Sequence, residues 1–456
     1  MSTNDIRRPR WPFVAKLHAV NGECSASRPG QVFETDDEVS GTVFFVHGNS
    51  IGITEHDIVG ITNAHCVENC LRHTCRVMQE DSVIGDFDIY SVCFQLDFAI
   101  LAPTTHVDVE TCNISTNTIE PGSQVHIPGY PLDCASCQCA HGTVSSYGDQ
   151  HWLSCNLSSN PGNSGGPLVC NESGMVFGIV TQSPAISEAI TEVLPMWIVR
   201  NALQWVKSGT TILRVPVIDL DVSPLTLSGH AHFGVDHNTV GVIVQSSRMN
   251  NIRAGDLITD FFDDSGHCWS VEAETGQFHS SMCGLVDVDS EALSLQLPNT
   301  FYATVYRKGV QSSIQVPLRM QNPIQSLVRQ YYMCWETVPT LHLNGMIVTP
   351  LHLDLLNMYE DYAGSRLLRT AWHYWDIRHD SVGSVCVSFV SPQTHAADSG
   401  FLPLMIITKV QGRHVHTIQD FKQALNVHTR HSARLHSYIC IECNGYTNLY
   451  VDPYKL

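Results

Sequence analysis

The chain has 456 residues, 43% hydrophobic and 15% charged, a composition that supports a sizeable core and excludes a largely disordered chain. Its 44 acidic residues outweigh 25 lysines and arginines, for a formal charge of −19. That balance argues against a general binder of nucleic acid or of anionic membrane, both of which need basic surface.

Residues 13–191 read as β structure. Short apolar runs at 14–20, 41–46, 58–62, 91–96, 123–127 and 176–180 alternate with turns rich in Gly, Pro, Asn and Asp, a spacing that suits a sandwich or barrel. Two six-stranded barrels account for it. A helix follows, with Ile198, Ala202, Trp205 and Val206 on one face between Pro195 and Gly209. A second unit over 215–319 has a strand at 240–244, the segment Ala254-Gly255-Asp256-Leu257-Ile258, a short helix at 290–297 and a closing hairpin around Lys308-Gly309. A third has an early strand at 345–350, a long insert at 360–381, a strand at 404–410 turning at Gln411-Gly412, and a helix near 418–425. The expected domains are 1–210, 211–320 and 321–456, and the fold class is mainly β with two α+β units behind the barrels.

The segment Asn160-Pro161-Gly162-Asn163-Ser164-Gly165-Gly166-Pro167 places a serine in a tight, glycine-rich turn. A serine is a weak nucleophile unless a base takes its proton and donors hold the oxyanion that forms. Glycines let a backbone aim N–H groups at that oxyanion. Upstream, Thr62-Asn63-Ala64-His65 follows one apolar run, and Asp97 opens another, Asp97-Phe98-Ala99-Ile100-Leu101. The order His, Asp, Ser is that of the double β-barrel serine proteases. In this reading His65 is general base and acid, Asp97 fixes its tautomer, and Ser164 is the nucleophile. The backbone at Gly162, Asn163 and Ser164 forms the oxyanion hole. Ser158, six residues before Ser164, and Thr181 mark the S1 region. A neutral Ser158 does not suit an Arg or Lys side chain at P1.

These motifs resemble the HtrA/Deg serine proteases, a trypsin-like domain followed by PDZ domains. The matching pieces are Ser40-Gly41-Thr42-Val43-Phe44, Thr62-Asn63-Ala64-His65, Asp97 to Leu101, Pro128-Gly129-Tyr130-Pro131 and the Ser164 turn. The second unit looks like a PDZ domain, with Phe233-Gly234-Val235 where a carboxylate-binding loop is expected. The third is similar to the second PDZ domain of plant-type Deg proteases, through 344–351 and 406–415. The resemblance implies a chymotrypsin-like double barrel and an ATP-independent endopeptidase for protein quality control, with small or medium apolar P1 residues. It also implies unfolded or extended polypeptide substrates, C-terminal peptide ligands for the first PDZ-like unit, and a homo-oligomer built from trimers, with Trp11 and Phe13 as candidate contacts or core residues. Two alternatives stand beside it: an inactive PDZ scaffold or chaperone, and a processing protease dedicated to one substrate.

No cofactor is expected, because no GxxxxGK[ST] loop is present and triad chemistry needs no metal. The cluster Cys134, Cys137, Cys139 and His141 invites a zinc reading, but its spacing is too tight for an ordinary finger, and Cys440 and Cys443 lie far off. It reads as free thiols. The polar first ten residues lack a signal-peptide core, and no run of about 18 apolar residues suggests membrane insertion. The expected location is therefore intracellular and soluble, cytoplasmic or nuclear. There most of the 17 cysteines stay reduced, and the sequons at Asn113, Asn156 and Asn171 stay bare.

Overall fold

The computed structural model describes residues 10–25, 28–71, 73–80, 82–147, 152–182, 189–205, 211–247, 249, 251–317, 319–320, 331–332, 334–359, 366–373, 383–431, 439–443 and 446–451. Val206, Gly209 and most of the 360–381 insert lie outside these residues. The chain divides into two compact units, one of residues Met1–Asn21 with Asp36–Gln321, the other of Gly22–Thr35 with Asn322–Leu456.

The first unit holds two closed six-stranded barrels, except for the stretch Gly22–Thr35 of the first two strands, which the division assigns to the second unit. Barrel 1 comprises β1 (Val14–Ser25), β2 (Arg28–His47), β3 (Ile58–Thr62), β4 (Thr74–Gln79), β5 (Ser82–Cys93) and β6 (Phe98–Pro103), in the order β1-β2-β3-β6-β5-β4. Barrel 2 comprises β7 (Gln124–Gly129), β8 (Gln138–Tyr147), β9 (Leu153–Asn156), β10 (Pro167–Cys170), β11 (Val176–Gln182) and β12 (Ile190–Pro195), in the order β10-β11-β12-β9-β8-β7. The mainly β, chymotrypsin-like double barrel expected from the sequence is present.

The strands nearest the candidate site are apolar on both faces. In β6, Phe98, Ala99, Ile100 and Leu101 are all fully buried, because one face fills the barrel while the other is covered by neighbouring structure. Such strands read as continuous apolar runs instead of an alternating pattern. Phe44, Val46, Ile61, Phe98 and Ile100 belong to one core; Val125, Ile127, Leu153, Leu168, Val180 and Val193 fill barrel 2. Each fully buried side chain of this size contributes about 1.5–3 kcal/mol.

Helix α1 (Met196–Leu203) buries Met196, Trp197, Ile198, Val199, Ala202 and Leu203. The sequence pattern predicted a longer helix with one apolar face. The observed helix is shorter, with Trp205 in the turn that follows, and is buried nearly all round because it is sandwiched in the common core. That core continues into a sheet built from β14 (Leu220–Pro224), β15 (Val242–Ser247), β16 (Leu257–Phe262), β20 (Thr300–Arg307) and β21 (Val310–Pro317). Between them lie α2 (Leu227–Phe233), β17 (Cys268–Ser270), β18 (Phe278–Ser280), β19 (Gly284–Val286) and α3 (Glu291–Ser294); β13 (Pro216–Val217) pairs with β22 (Arg319–Met320). Ser290 caps α3 by accepting from Ala292 N. Beneath the sheet the carboxylate of Asp256, 2% exposed, receives both Nε and Nη2 of Arg307 at 2.7 and 2.6 Å.

The second unit carries a sheet in the order β23 (Leu341–Leu343), β24 (Met346–Pro350), β25 (Val385–Val390), β26 (Ile406–Val410), β28 (Ile439–Cys443) and β29 (Tyr446–Val451), with β27 (Arg413–His414) paired to β26. Its helices α4 (Leu353–Met358), α5 (Arg366–His373), α6 (His395–Asp398) and α7 (Ile418–His431) complete an α+β unit. Phe421 of α7 packs with Val348, Val387 and Ile441 of the sheet in a core of its own.

Candidate active site

Three turns deliver the functional side chains. β3 ends at Thr62, and the following turn carries His65; the turn between β5 and β6 carries Asp97; the turn before β10 carries Ser164. Asp97 adopts φ +53°, a left-handed conformation unusual for a non-glycine residue. Its backbone is held there by buried Asn63, whose Nδ2 donates to Asp97 O at 2.9 Å. Its carboxylate accepts from His65 N at 2.9 Å and lies 2.8 and 3.0 Å from His65 Nδ1. That geometry places the proton on Nδ1 and turns Nε2 towards the open side. The His65 side chain is 44% exposed, so that side is accessible to a substrate.

Burial works against a charged His65, but the hydrogen bond to Asp97, with the neighbouring Cys66, outweighs it and raises the imidazole to about 10. Ser164 Oγ does not bond to His65. It donates to Thr181 O at 3.1 Å.

The turn around Ser164 is set by close backbone approaches. Gly162 has φ +98°, and a Cβ there would lie 2.4 Å from Tyr130 O; Gly165 has φ +86°, and a Cβ there would lie 2.2 Å from Thr42 O. Only glycine meets both demands. Asn163 N donates to Asn160 O at 3.0 Å. It is therefore committed to the turn, which corrects the expectation that all three of Gly162, Asn163 and Ser164 supply oxyanion donors. Among the described residues, the N–H groups of Gly162 and Ser164 carry no protein hydrogen bond.

Thr42 of β2 is a site residue whose role sequence reasoning missed. Its N–H donates to Ser164 O at 2.9 Å, and its Oγ1 donates to Gly162 O at 2.6 Å while accepting from Tyr130 N at 3.0 Å. One residue of barrel 1 thus holds the Gly162 and Ser164 carbonyls, the first through its side chain and the second through its backbone N–H. The segment 40–44 stood out by its pattern, but nothing local marked this contact across 120 residues of sequence.

Of the S1 residues, Ser158 is exposed after β9. Thr181 is 2% exposed, sits at an irregularity of the β11–β12 pairing and turns its Oγ1 to Glu192 O at 2.9 Å. It faces Ser164 through its backbone carbonyl.

Phe233-Gly234-Val235 is not a carboxylate-binding loop. Phe233 ends α2 and is buried, Gly234 is the left-handed C-cap at φ +64°, and the N–H groups of Gly234 and Val235 both go to His230 O. A capped helix end uses the donors that a carboxylate would need.

Cys134, Cys137 and Cys139 are free thiols. Burial pushes Cys137 up to about 12 and also raises Cys139. Among the described residues no group of three His, Cys, Asp or Glu side chains is arranged to hold a metal. Trp11 and Phe13 are half-buried against the main core of their unit, with the Arg10 guanidinium 4.6 Å over the Trp11 ring.

Residues 40–179 match the family described as the trypsin-like peptidase domain. This chain carries a trypsin-like serine peptidase domain. Its fold is similar to that of the HtrA-type protease AlgW solved with a tripeptide, at 16% identity and TM-score 0.50, covering 70% of this chain and 96% of that one. A variant of AlgW solved with a decapeptide gives 16% identity and TM-score 0.51, covering 70% and 97%. At that identity the likeness to AlgW is one of fold. No curated protein matches the sequence. Among the described residues, no helix is long and apolar enough to cross a membrane.

Proposed function

We propose that this peptidase hydrolyses unfolded or extended polypeptides without ATP, through a triad of His65, Asp97 and Ser164 and an oxyanion hole of Gly162 N and Ser164 N. The observation that carries this reading is the Asp97 carboxylate, which grips both the backbone N–H and Nδ1 of His65, on the barrel whose Thr42 ties down the Ser164 turn. His65 Nε2 takes the proton of Ser164 Oγ as the oxygen attacks the scissile carbonyl. The imidazolium is stabilised by Asp97 and then protonates the leaving amine. The acyl-enzyme is hydrolysed by water with the same groups. The developing oxyanion sits between the two uncommitted N–H groups.

An extended substrate can pair with the backbone beside Thr181 as an added strand. The exposed neutral Ser158 and the inward-turned Thr181 hydroxyl favour small or medium apolar P1 residues. The α+β units fit a PDZ-like role in binding peptides or in assembling a homo-oligomer. The test is a fluorophosphonate label on the full chain, with Ser164→Ala as control, followed by a peptide library varied at P1. Labelling confined to Ser164 together with apolar P1 preference is expected. Labelling elsewhere, or a basic P1 preference, contradicts this reading.

A further inference from the structure

The turn 130–134, between β7 and β8, lies against the oxyanion turn, and Leu132 N donates to Pro161 O at 2.7 Å. This bond fixes the rotation of the Pro161–Gly162 peptide. With its carbonyl held by Leu132, the opposite edge of the same peptide, Gly162 N, is left uncommitted. If that peptide rotates, the carbonyl takes the place of the donor and the hole loses half its hydrogen bonds.

Within the turn Cys134 N donates to Pro131 O at 3.1 Å, which leaves the carbonyl and the carboxylate of Asp133 to partners outside it. Leu132 and Asp133 are consecutive non-glycine residues in the left-handed region, at φ +53° and +60°, a conformation of order 1–3 kcal/mol each that persists only where surrounding structure imposes it. Leu132 is 68% exposed, so packing of its side chain does not impose it.

The imposing contact comes from barrel 1. Lys16 of β1, 9% exposed, donates from Nζ to Asp133 O at 3.0 Å and pairs with the Asp133 carboxylate. That carboxylate is held below the usual range, chiefly by the hydrogen bond from Lys16 and with a further bond from Ser40. Lys16 is a long cation with little access to water, pinned at both the backbone and the side chain of one residue.

We infer that Lys16 is a positioning residue for the oxyanion hole: through Asp133 it holds Leu132 where its N–H fixes the Pro161–Gly162 peptide. The inference rests on the oxyanion hole proposed above. Lys16 touches no reacting atom, and its effect is confined to the step in which charge develops on the carbonyl oxygen.

The test compares full-length wild type with Lys16→Met, Lys16→Arg and Asp133→Ala on a peptide amide substrate. Each is also titrated with a peptide aldehyde that forms a tetrahedral adduct, and with the corresponding product peptide. Lys16→Met is expected to lower kcat by about 10- to 100-fold, short of the loss on removing an oxyanion donor outright. KM and product-peptide affinity should stay within about twofold, and aldehyde affinity should fall in parallel with kcat. Lys16→Arg should recover most of the loss, and Asp133→Ala, which removes the carboxylate and leaves Lys16 only the backbone carbonyl, should lower kcat in the same direction by a smaller factor, which covers the case where one variant does not fold. Unchanged kcat in a folded Lys16→Met, or an equal loss of aldehyde and product-peptide affinity, overturns the inference alone. A wild-type chain that neither cleaves nor labels at Ser164 overturns the triad reading and this inference with it.

Discussion

Ser164 Oγ donates its hydrogen bond to Thr181 O, 3.1 Å away, and not to the imidazole of His65. Burial works against the charge, but the hydrogen bond to Asp97 and the neighbouring Cys66 raise His65 to about 10, which favours its protonated form at neutral pH. A protonated imidazole has no lone pair to accept from a hydroxyl, which agrees with a resting state in which the Ser164 hydroxyl bonds to a backbone carbonyl. Attack requires His65 to lose its proton and Ser164 to rotate about χ1.

The pH profile should record that requirement. Only neutral His65 can act as base, so kcat/KM is expected to keep rising by up to tenfold per pH unit through pH 7–9, where an ordinary histidine would already have levelled off. Cys66→Ala removes one of the contributions that raise His65 and should shift the ascending limb to lower pH. A plateau from about pH 7.5 in the wild type contradicts the resting state described. The same elevation bears on stability: the charged His65–Asp97 pair favours the fold fully below the unfolded value of 6.5, and this benefit is lost as pH rises towards about 10.

Thr42→Val deletes the hydroxyl that holds Gly162 O and receives Tyr130 N. It is expected to reduce kcat by about 10- to 100-fold with little change in KM, whereas Thr42→Ser, which keeps the hydroxyl, should stay within a few-fold of wild type. Steady-state kinetics on one peptide substrate distinguishes the two. Equal losses in both variants would contradict a role specific to the hydroxyl.

Gly165→Ala adds a Cβ 2.2 Å from Thr42 O at φ +86°. A loss of roughly 1–3 kcal/mol is expected from the backbone conformation, with the clash added to it. Denaturant unfolding measures the stability, and activity should fall with it because the turn carries Ser164.

Away from the site, Arg307→Met leaves the carboxylate of Asp256 buried without its cation. Removing one partner of a buried ion pair costs roughly 3–5 kcal/mol. Thermal unfolding should show a clear drop, while the double variant Asp256→Leu/Arg307→Met should recover much of it.

The candidate triad was legible because each polar residue stands beside an apolar strand: His65 after β3, Asp97 before β6 and Ser164 before β10. Lys16 and Thr42 were not, because their contacts cross 117 and 120 residues of sequence and exist only once the barrels meet. Asn163 lies in the same glycine-rich turn as Gly162 and Ser164, and nothing in the sequence distinguishes its N–H from theirs; in the structure that N–H closes a turn on Asn160. Phe233-Gly234-Val235 misled for a related reason. A left-handed glycine suits an anion-binding nest or a helix C-cap equally well, and the preceding Leu-Ser-Gly-His-Ala-His is too poor in strong helix formers to announce α2. The long β1 and β2 were foreseen only in part, since 28–38 is polar and carries no apolar alternation.

The most direct measurement is cleavage of an unfolded, casein-like protein by the full chain at pH 9 and by its Ser164→Ala variant, with the new N-termini sequenced. The account predicts cuts after small or medium apolar residues in the wild type and a loss of at least about 10³-fold in the variant. Residual cleavage by Ser164→Ala at the wild-type rate, or no cleavage by a correctly folded wild type across pH 7–9, would contradict it.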